Sequence, residues 1–222
     1  MSVWAILVAA GRGERLGDER PKAFARLGER VLLAESLERL DDSGWVDAIV
    51  VAAPPEWEEP VIVLAEQLAA GKVAAAVTGG ATRAESVRAG LAEVPDDADV
   101  VVVHDAARPL VSDDVIERVL RPLSEGYDGA VPGLPVADTI KRVSGGDVVE
   151  TLDRAELVAV QTPQAFVTAA LRAALASNTV SQATDCSSSV EANGGRVRVV
   201  DGDPRLLKIT TRADLALVES WL

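Results

Sequence analysis

A single cysteine, Cys186, and a single histidine, His104, occur in the 222 residues of this chain. One thiol excludes an intrachain disulfide and any multi-cysteine metal cage, and one imidazole removes histidine-cluster metal sites and most histidine-based hydrolytic triads. No apolar run approaches the roughly 18–20 residues that a bilayer-spanning helix needs. The amino terminus enters an apolar segment with no basic leader, so a cytoplasmic location is expected. Basic excess is also missing. The chain has 22 Lys and Arg against 35 Asp and Glu, a net charge of −13, which argues against nucleic acid and anionic membrane as partners.

Two familiar nucleotide loops are absent as well. The nucleotide triphosphatase loop needs four residues between its glycines and then Gly-Lys-Ser/Thr, and the chain contains no such string. The dinucleotide fingerprint wants a third glycine where Leu16 stands and an acid at the tip of the second strand, which instead ends Ala52-Ala53-Pro54-Pro55. A nicotinamide-dependent dehydrogenase is disfavoured on both counts. No internal repeat or low-complexity linker is visible.

What the chain does contain is globular: hydrophobic residues make up 48% and charged residues 26%. Apolar strands alternate with helical patterns, the mark of parallel βαβ units, and predict an α/β fold: a Rossmann-like, mostly parallel twisted sheet with helices on both faces. Strands are expected at 3–9, 47–53, 73–78, 99–104, 129–133, 157–161 and 196–201. Leu33, Leu37 and Leu40 recur at helical spacing, as do Val87, Leu91 and Val94. Ser112 and Thr211 are expected helix caps, the latter opening a helix whose apolar face includes Leu215, Val218 and Leu222. The whole of 1–222 reads as one domain, and 136–156 as a hairpin arm around a glycine turn. A lone two-stranded hairpin is marginal in water, so a second subunit is the expected partner for the arm.

The most informative segment joins the first strand to Ala9-Ala10-Gly11-Arg12-Gly13-Glu14-Arg15-Leu16-Gly17, then Pro21-Lys22. Glycines let backbone N–H groups approach an anion, and the loop lies at a strand's carboxyl end, where open α/β sheets bind ligands. Between residues 12 and 26 five basic side chains (Arg12, Arg15, Arg20, Lys22, Arg26) face three acidic ones (Glu14, Asp18, Glu19), a local +2 in an acidic chain. Other unusual polar strings also follow strands. Thr78 to Arg83 opens a helix and offers glycine N–H groups to a base or phosphate. His104-Asp105-Ala106-Ala107-Arg108-Pro109 places an acid and an arginine at the same rim, where the two could also pair with each other. Ala137-Asp138-Thr139, Gln161-Thr162-Pro163-Gln164 and Leu207-Lys208-Ile209-Thr210 complete the set. Arg12, Arg83 and Arg108 stay open between ligand contact and ion pairing.

The pattern Ala-Ala-Gly-x-Gly-x-Arg then Pro-Lys resembles the loop of nucleotidyltransferases that activate sugar or polyol phosphates. Over nearly its whole length the chain resembles the 2-C-methyl-D-erythritol 4-phosphate cytidylyltransferase family. The matching strings, in the family's order, are AAGRGERLG with PKAF, GGATRAESVRAGL, VVVHDAARP, LPVADTIKR, TLDR, VQTPQAF, ATDCSSSVEANGG and GDPRLLKIT. The resemblance implies transfer of the cytidylyl group of CTP to methylerythritol phosphate, releasing pyrophosphate, in non-mevalonate isoprenoid precursor synthesis. It also implies a homodimer whose arms reach the neighbouring active site.

Residue by residue, the resemblance gives Arg15 and Lys22 the task of stabilising the transition state. Lys208 and Arg154 hold the attacking phosphate, Arg154 being delivered from a second subunit. Asp105, Arg108 and Thr139 position the polyol. Ala10, Gly11, Gly13, Gly79, Gly80 and Ser86 fall to the nucleotide. A divalent cation, most simply Mg²⁺, is implied, held mainly by CTP phosphates and water, with no protein ligand assigned. The residues fit such chemistry: a phosphate monoester, with a second pKa of about 6, is already an anionic nucleophile and needs no general base. Two departures stand out, Ala81 and Cys186, where family members often carry acids. Related cytidylyltransferases acting on ribitol 5-phosphate share the glycine loop and lysine but lack the pair seen here at Asp153-Arg154.

Overall fold

Two strands without a single charge in their first four positions set the centre of the fold. β1 (Val3–Val8) and β6 (Val100–Asp105) pair in parallel from Val3↔Val100 to Val8↔Asp105, and β6 is buried along its whole length. Burial on both faces is what continuous Val/Ile/Leu runs encode. The computed structural model describes residues 1–11, 20–176 and 185–222.

On the other side of β1 lie β4 (Ala48–Ala53) and then β5 (Val73–Thr78), both parallel to it. Beyond β6 comes β11 (Gln164–Val167), antiparallel, and then β7 (Gly129–Pro135). β7 also pairs antiparallel with β10 (Val158–Val160) and, in parallel, with β12 (Val197–Asp201). The sheet is mostly parallel, with β10 and β11 the reversed members. The expected strand at 157–161 therefore forms, but at the sheet's edge and antiparallel to its one neighbour, β7. β11 was not foreseen.

Helices cover both faces. One carries α1 (Leu32–Asp42), α2 (Glu58–Gln67) and α4 (Asp113–Ser124), whose Leu33, Leu37, Val61 and Ile116 pack with Leu7, Val51 and Val102. The other carries α3 (Arg83–Ala92), α5 (Thr168–Ala176) and α6 (Cys186–Ala192), packed against Ile6, Val101 and Val103. A third cluster joins α7 (Arg212–Glu219) through Val218 to Leu27 and Leu32, next to the small hairpin of β2 (Arg26–Leu27) and β3 (Arg30–Val31). Thr211 caps α7 in a reciprocal box with Asp214. Ser112 occupies the cap position of α4 but makes no capping hydrogen bond through its side chain, and Leu222 lies exposed beyond the end of α7.

Within the expected arm, β8 (Lys141–Ser144) and β9 (Asp147–Thr151) pair only with each other, and every residue of both is exposed. Gly145 and Gly146 form the two-residue turn at φ +59° and +96°, the double positive φ that a tight hairpin of this twist requires. Val143, Val148 and Val149 are 60%, 60% and 57% exposed.

Candidate active site

A pocket of about 750 Å³ opens at the carboxyl ends of β1, β4, β5 and β6. The chain leaves β1 for β4 on one side and returns to β6 on the other, so the crevice sits where the winding of the sheet reverses, the usual ligand position in such folds.

Ala10 and Gly11 enter the pocket from the end of β1. Gly79 donates its N–H to Ala53 O (2.8 Å), and a Cβ on it would lie 2.3 Å from Ala10 Cβ. Only glycine lets the two rim loops touch. Ser86, on the first turn of α3, accepts the Gly80 N–H (3.1 Å) and donates to Thr82 O (3.0 Å). Thr82 caps α3 and Glu85 closes the capping box, so the helix amino end, with its partial positive charge, is fixed beside the cavity. Lys22 arrives on a short 3-10 helix, Lys22–Phe24, and Lys208 from the loop after β12.

Asp105, at the tip of β6, is the only acid lining the described part of the pocket. Its two oxygens are taken by Arg83 Nε (3.0 Å) and Lys208 Nζ (2.7 Å). Burial alone would raise its pKa, yet the two cations outweigh that and hold the carboxyl far below its ordinary range. Arg83 is shifted upward: burial opposes its charge, but Asp105 and then Cys186 overcompensate. Cys186 Sγ is buried and lies 3.2 Å from Arg83 Nη1, and burial pushes the thiol up. Arg83 Nη2 has no hydrogen-bond partner among the described residues. The charge that sequence reasoning could have assigned to an Asp105–Arg108 pair thus goes elsewhere.

Arg108 lies outside the pocket lining, its Nη1 donating to Leu206 O (2.5 Å); burial lowers its pKa, with Asp105 acting in the opposite sense. His104 sits behind this loop, fully buried. Its Nε2 faces Arg108 O at 3.0 Å and its Nδ1 faces Thr162 Oγ1 at 3.1 Å, while Thr162 Oγ1 accepts the Asp105 N–H at 3.0 Å. A carbonyl can only accept, so Nε2 carries the proton and Nδ1 accepts from the hydroxyl. Burial brings this imidazole down to about 4. The Gln161–Gln164 string is scaffold too: Gln161 pairs with the backbone of Asp203 in both directions, and Gln164 donates to Asp185.

Thr139 and Arg154 stand apart from the pocket, both exposed at the foot of the arm, with an Arg154 Nη1 hydrogen bond to Ala137 O. Arg12, Gly13 and Arg15 lie outside the described residues. The structure therefore brings together Ala10, Gly11, Lys22, Gly79, Gly80, Ser86, Asp105 and Lys208 in one cavity.

The family described as IspD, 2-C-methyl-D-erythritol 4-phosphate cytidylyltransferase, matches residues 3–222. The chain belongs to this family. A cytidylyltransferase of that description from Nocardia farcinica is 46% identical, the match covering 100% of this chain and 94% of the relative. One from Saccharopolyspora erythraea is 47% identical, with 100% of both chains covered. Among solved structures, the 2-C-methyl-D-erythritol 4-phosphate cytidylyltransferase from Thermus thermophilus has a TM-score of 0.79 at 35% identity, covering 97% of this chain and 96% of that one. The 4-diphosphocytidyl-2C-methyl-D-erythritol synthase of Anaerococcus prevotii reaches 0.85 at 25% identity over 99% and 97%. As a cytidylyltransferase the chain is a CTP-dependent nucleotidyltransferase, and none of its described helices is long and apolar enough to cross a membrane.

Proposed function

We infer that this cytidylyltransferase transfers CMP from CTP to 2-C-methyl-D-erythritol 4-phosphate and releases pyrophosphate, and we assign its residues as follows. The observation that carries the assignment is the convergence of Lys22, Lys208 and Arg83 on one cavity in a chain of net charge −13. Two phosphate anions must meet there, and charge grows on the α-phosphate and the departing pyrophosphate; fixed cations in the cleft answer that demand.

Ala10, Gly11 and the 79–80 backbone line the base and ribose side, with Ser86 holding the Gly80 amide in place. Lys22, with Arg15 and Gly13 from the adjoining loop, serves the triphosphate. Lysine supplies a compact charge and arginine a planar fork for phosphate oxygens. Lys208 takes the attacking phosphate, and Asp105 holds Lys208 and Arg83 in position. Asp105 also faces the polyol, and Arg108 fixes the loop that carries it. No general base is needed, which agrees with a histidine held neutral behind the site.

Asp105 is a poor cradle for a metal, since a cation at its oxygens would meet two positive groups. The donor set fits a divalent ion carried in by the triphosphate and water, Mg²⁺ by preference. Such an ion supplies charge neutralisation across the triphosphate oxygens. The exposed valines of the arm favour a homodimer, the arm placing Thr139 and Arg154 at a neighbouring subunit's polyol site, and the site of action we assign is the cytoplasm.

Pyrophosphate release tests the reaction. With CTP and Mg²⁺, methylerythritol phosphate should support turnover and ribitol 5-phosphate should not. Turnover with ribitol phosphate alone would overturn the substrate.

A further inference from the structure

We propose that Trp57 is a positioning residue for Lys22, acting through Phe24, and forms the apolar wall of the nucleotide cavity beside it. The proposal rests on the assignment of Lys22 to the nucleotide made above. Three observations converge on it. The indole of Trp57 meets the Phe24 ring with centroids 4.4 Å apart and planes inclined at 45°, a tilted arrangement that contributes beyond area burial. Phe24 is buried and ends the single-turn 3-10 helix that begins with Lys22. That turn is closed by Phe24 N–H to Pro21 O (2.8 Å) and Ala25 N–H to Lys22 O (3.0 Å), so moving the Phe24 ring moves the backbone of Lys22.

The second observation is where Trp57 lies. It lines the cavity together with Lys22, Pro21, Pro54 and Pro55. The remaining rim loops in the cavity are glycine-rich or charged, so this is its aromatic side.

The third is the turn that puts it there. Beyond β4 the chain reverses through Pro54-Pro55-Glu56-Trp57, closed by Trp57 N–H to Pro54 O (3.0 Å), with Glu56 at φ +67°. That place in a Pro-initiated turn ordinarily takes glycine, and a side chain held in left-handed backbone persists only where its surroundings over-determine it. Here the next residue after Trp57, Glu58, opens α2 and accepts a hydrogen bond from Thr78 at the end of β5. The strained turn thereby aims Trp57 back across the mouth of the sheet at the helix of Lys22.

The test uses the intact enzyme in wild-type, Trp57→Leu, Trp57→Phe, Phe24→Leu and Trp57→Leu/Phe24→Leu forms, with single-turnover rates and CTP dissociation constants. The wild-type rate tests the reaction itself; the ratios between variants test the ring pair. Trp57→Leu should lower the rate about tenfold while weakening CTP less than about threefold, and Trp57→Phe should recover most of the loss. The double variant should lose no more than the worse single one, because both remove the same contact. Additive losses, or a wild-type rate in folded Trp57→Leu, would overturn the positioning role. CTP should also quench the fluorescence present in wild type and absent from Trp57→Phe; an unquenched difference would overturn the wall.

Discussion

Lys208 Nζ lies 2.7 Å from Asp105 Oδ2, across 103 residues of sequence, while Arg83 holds the other oxygen of the same carboxylate. One buried acid thus organises two cations that line the cavity. Because Asp105 is far more buried than Lys208, the triad is asymmetric in energy as well as in geometry. Removing the acid leaves Arg83 uncompensated, whereas removing the lysine leaves Asp105 still paired.

Asp105→Asn should accordingly destabilise the fold by about 3 kcal/mol, the scale for breaking a buried ion pair from one side. Lys208→Met should cost about 1 kcal/mol or less, since the lysine is half exposed, while abolishing productive binding of the polyol phosphate. Urea denaturation of both variants beside the wild type measures the difference; equal losses would contradict the asymmetry.

His104 gives stability a pH limb. Its folded-state pKa of about 4 lies below the ordinary 6.5, so on acidification the unfolded chain takes up the proton first. Stability is therefore complete above the ordinary value and falls as pH drops from about 6.5 to about 4, by about 3 kcal/mol in total. Below that range the depressed pKa of Asp105 continues the decline in the same direction. His104→Gln can keep a donor to Arg108 O and should flatten the upper limb in urea titrations taken across this range.

The arm makes a separate prediction. If Arg154 serves a neighbouring site, Arg154→Ala and Lys22→Ala subunits, each inactive, should regain about a quarter of wild-type activity when mixed: half of the dimers are mixed and each has one complete site. Confirmed subunit exchange without recovery would place Arg154 in its own subunit's site. Val148→Asp should shift sedimentation towards monomer, because it puts a charge among the exposed valines.

Much of this was legible in the chain. β1, β4 and β6 were readable because strands buried on both faces are written as unbroken apolar runs. The glycine turn of the arm was equally plain. β11 escaped because Gln164-Ala165-Phe166-Val167 is short, opens on a polar residue and follows Pro163 directly, leaving no periodicity to read. Residues in the site divide similarly. Gly79 announces itself by position after a strand and Lys22 by the Pro-Lys string that follows the glycine-rich run, but the partners of Asp105 lie 22 and 103 residues away, and no local pattern distinguishes Arg83 from Arg108 as its mate. Trp57 carried no signal at all; only the turn at Glu56 and the ring of Phe24 reveal where it points.

In the proposed reaction, fixed cations stabilise the transferring phosphoryl group more than they bind the nucleotide. Single-turnover pyrophosphate release by Lys22→Ala, set beside its CTP dissociation constant, tests this most directly. The rate should fall by about 100-fold or more with CTP affinity changed less than about threefold. Equal losses in rate and affinity would contradict it.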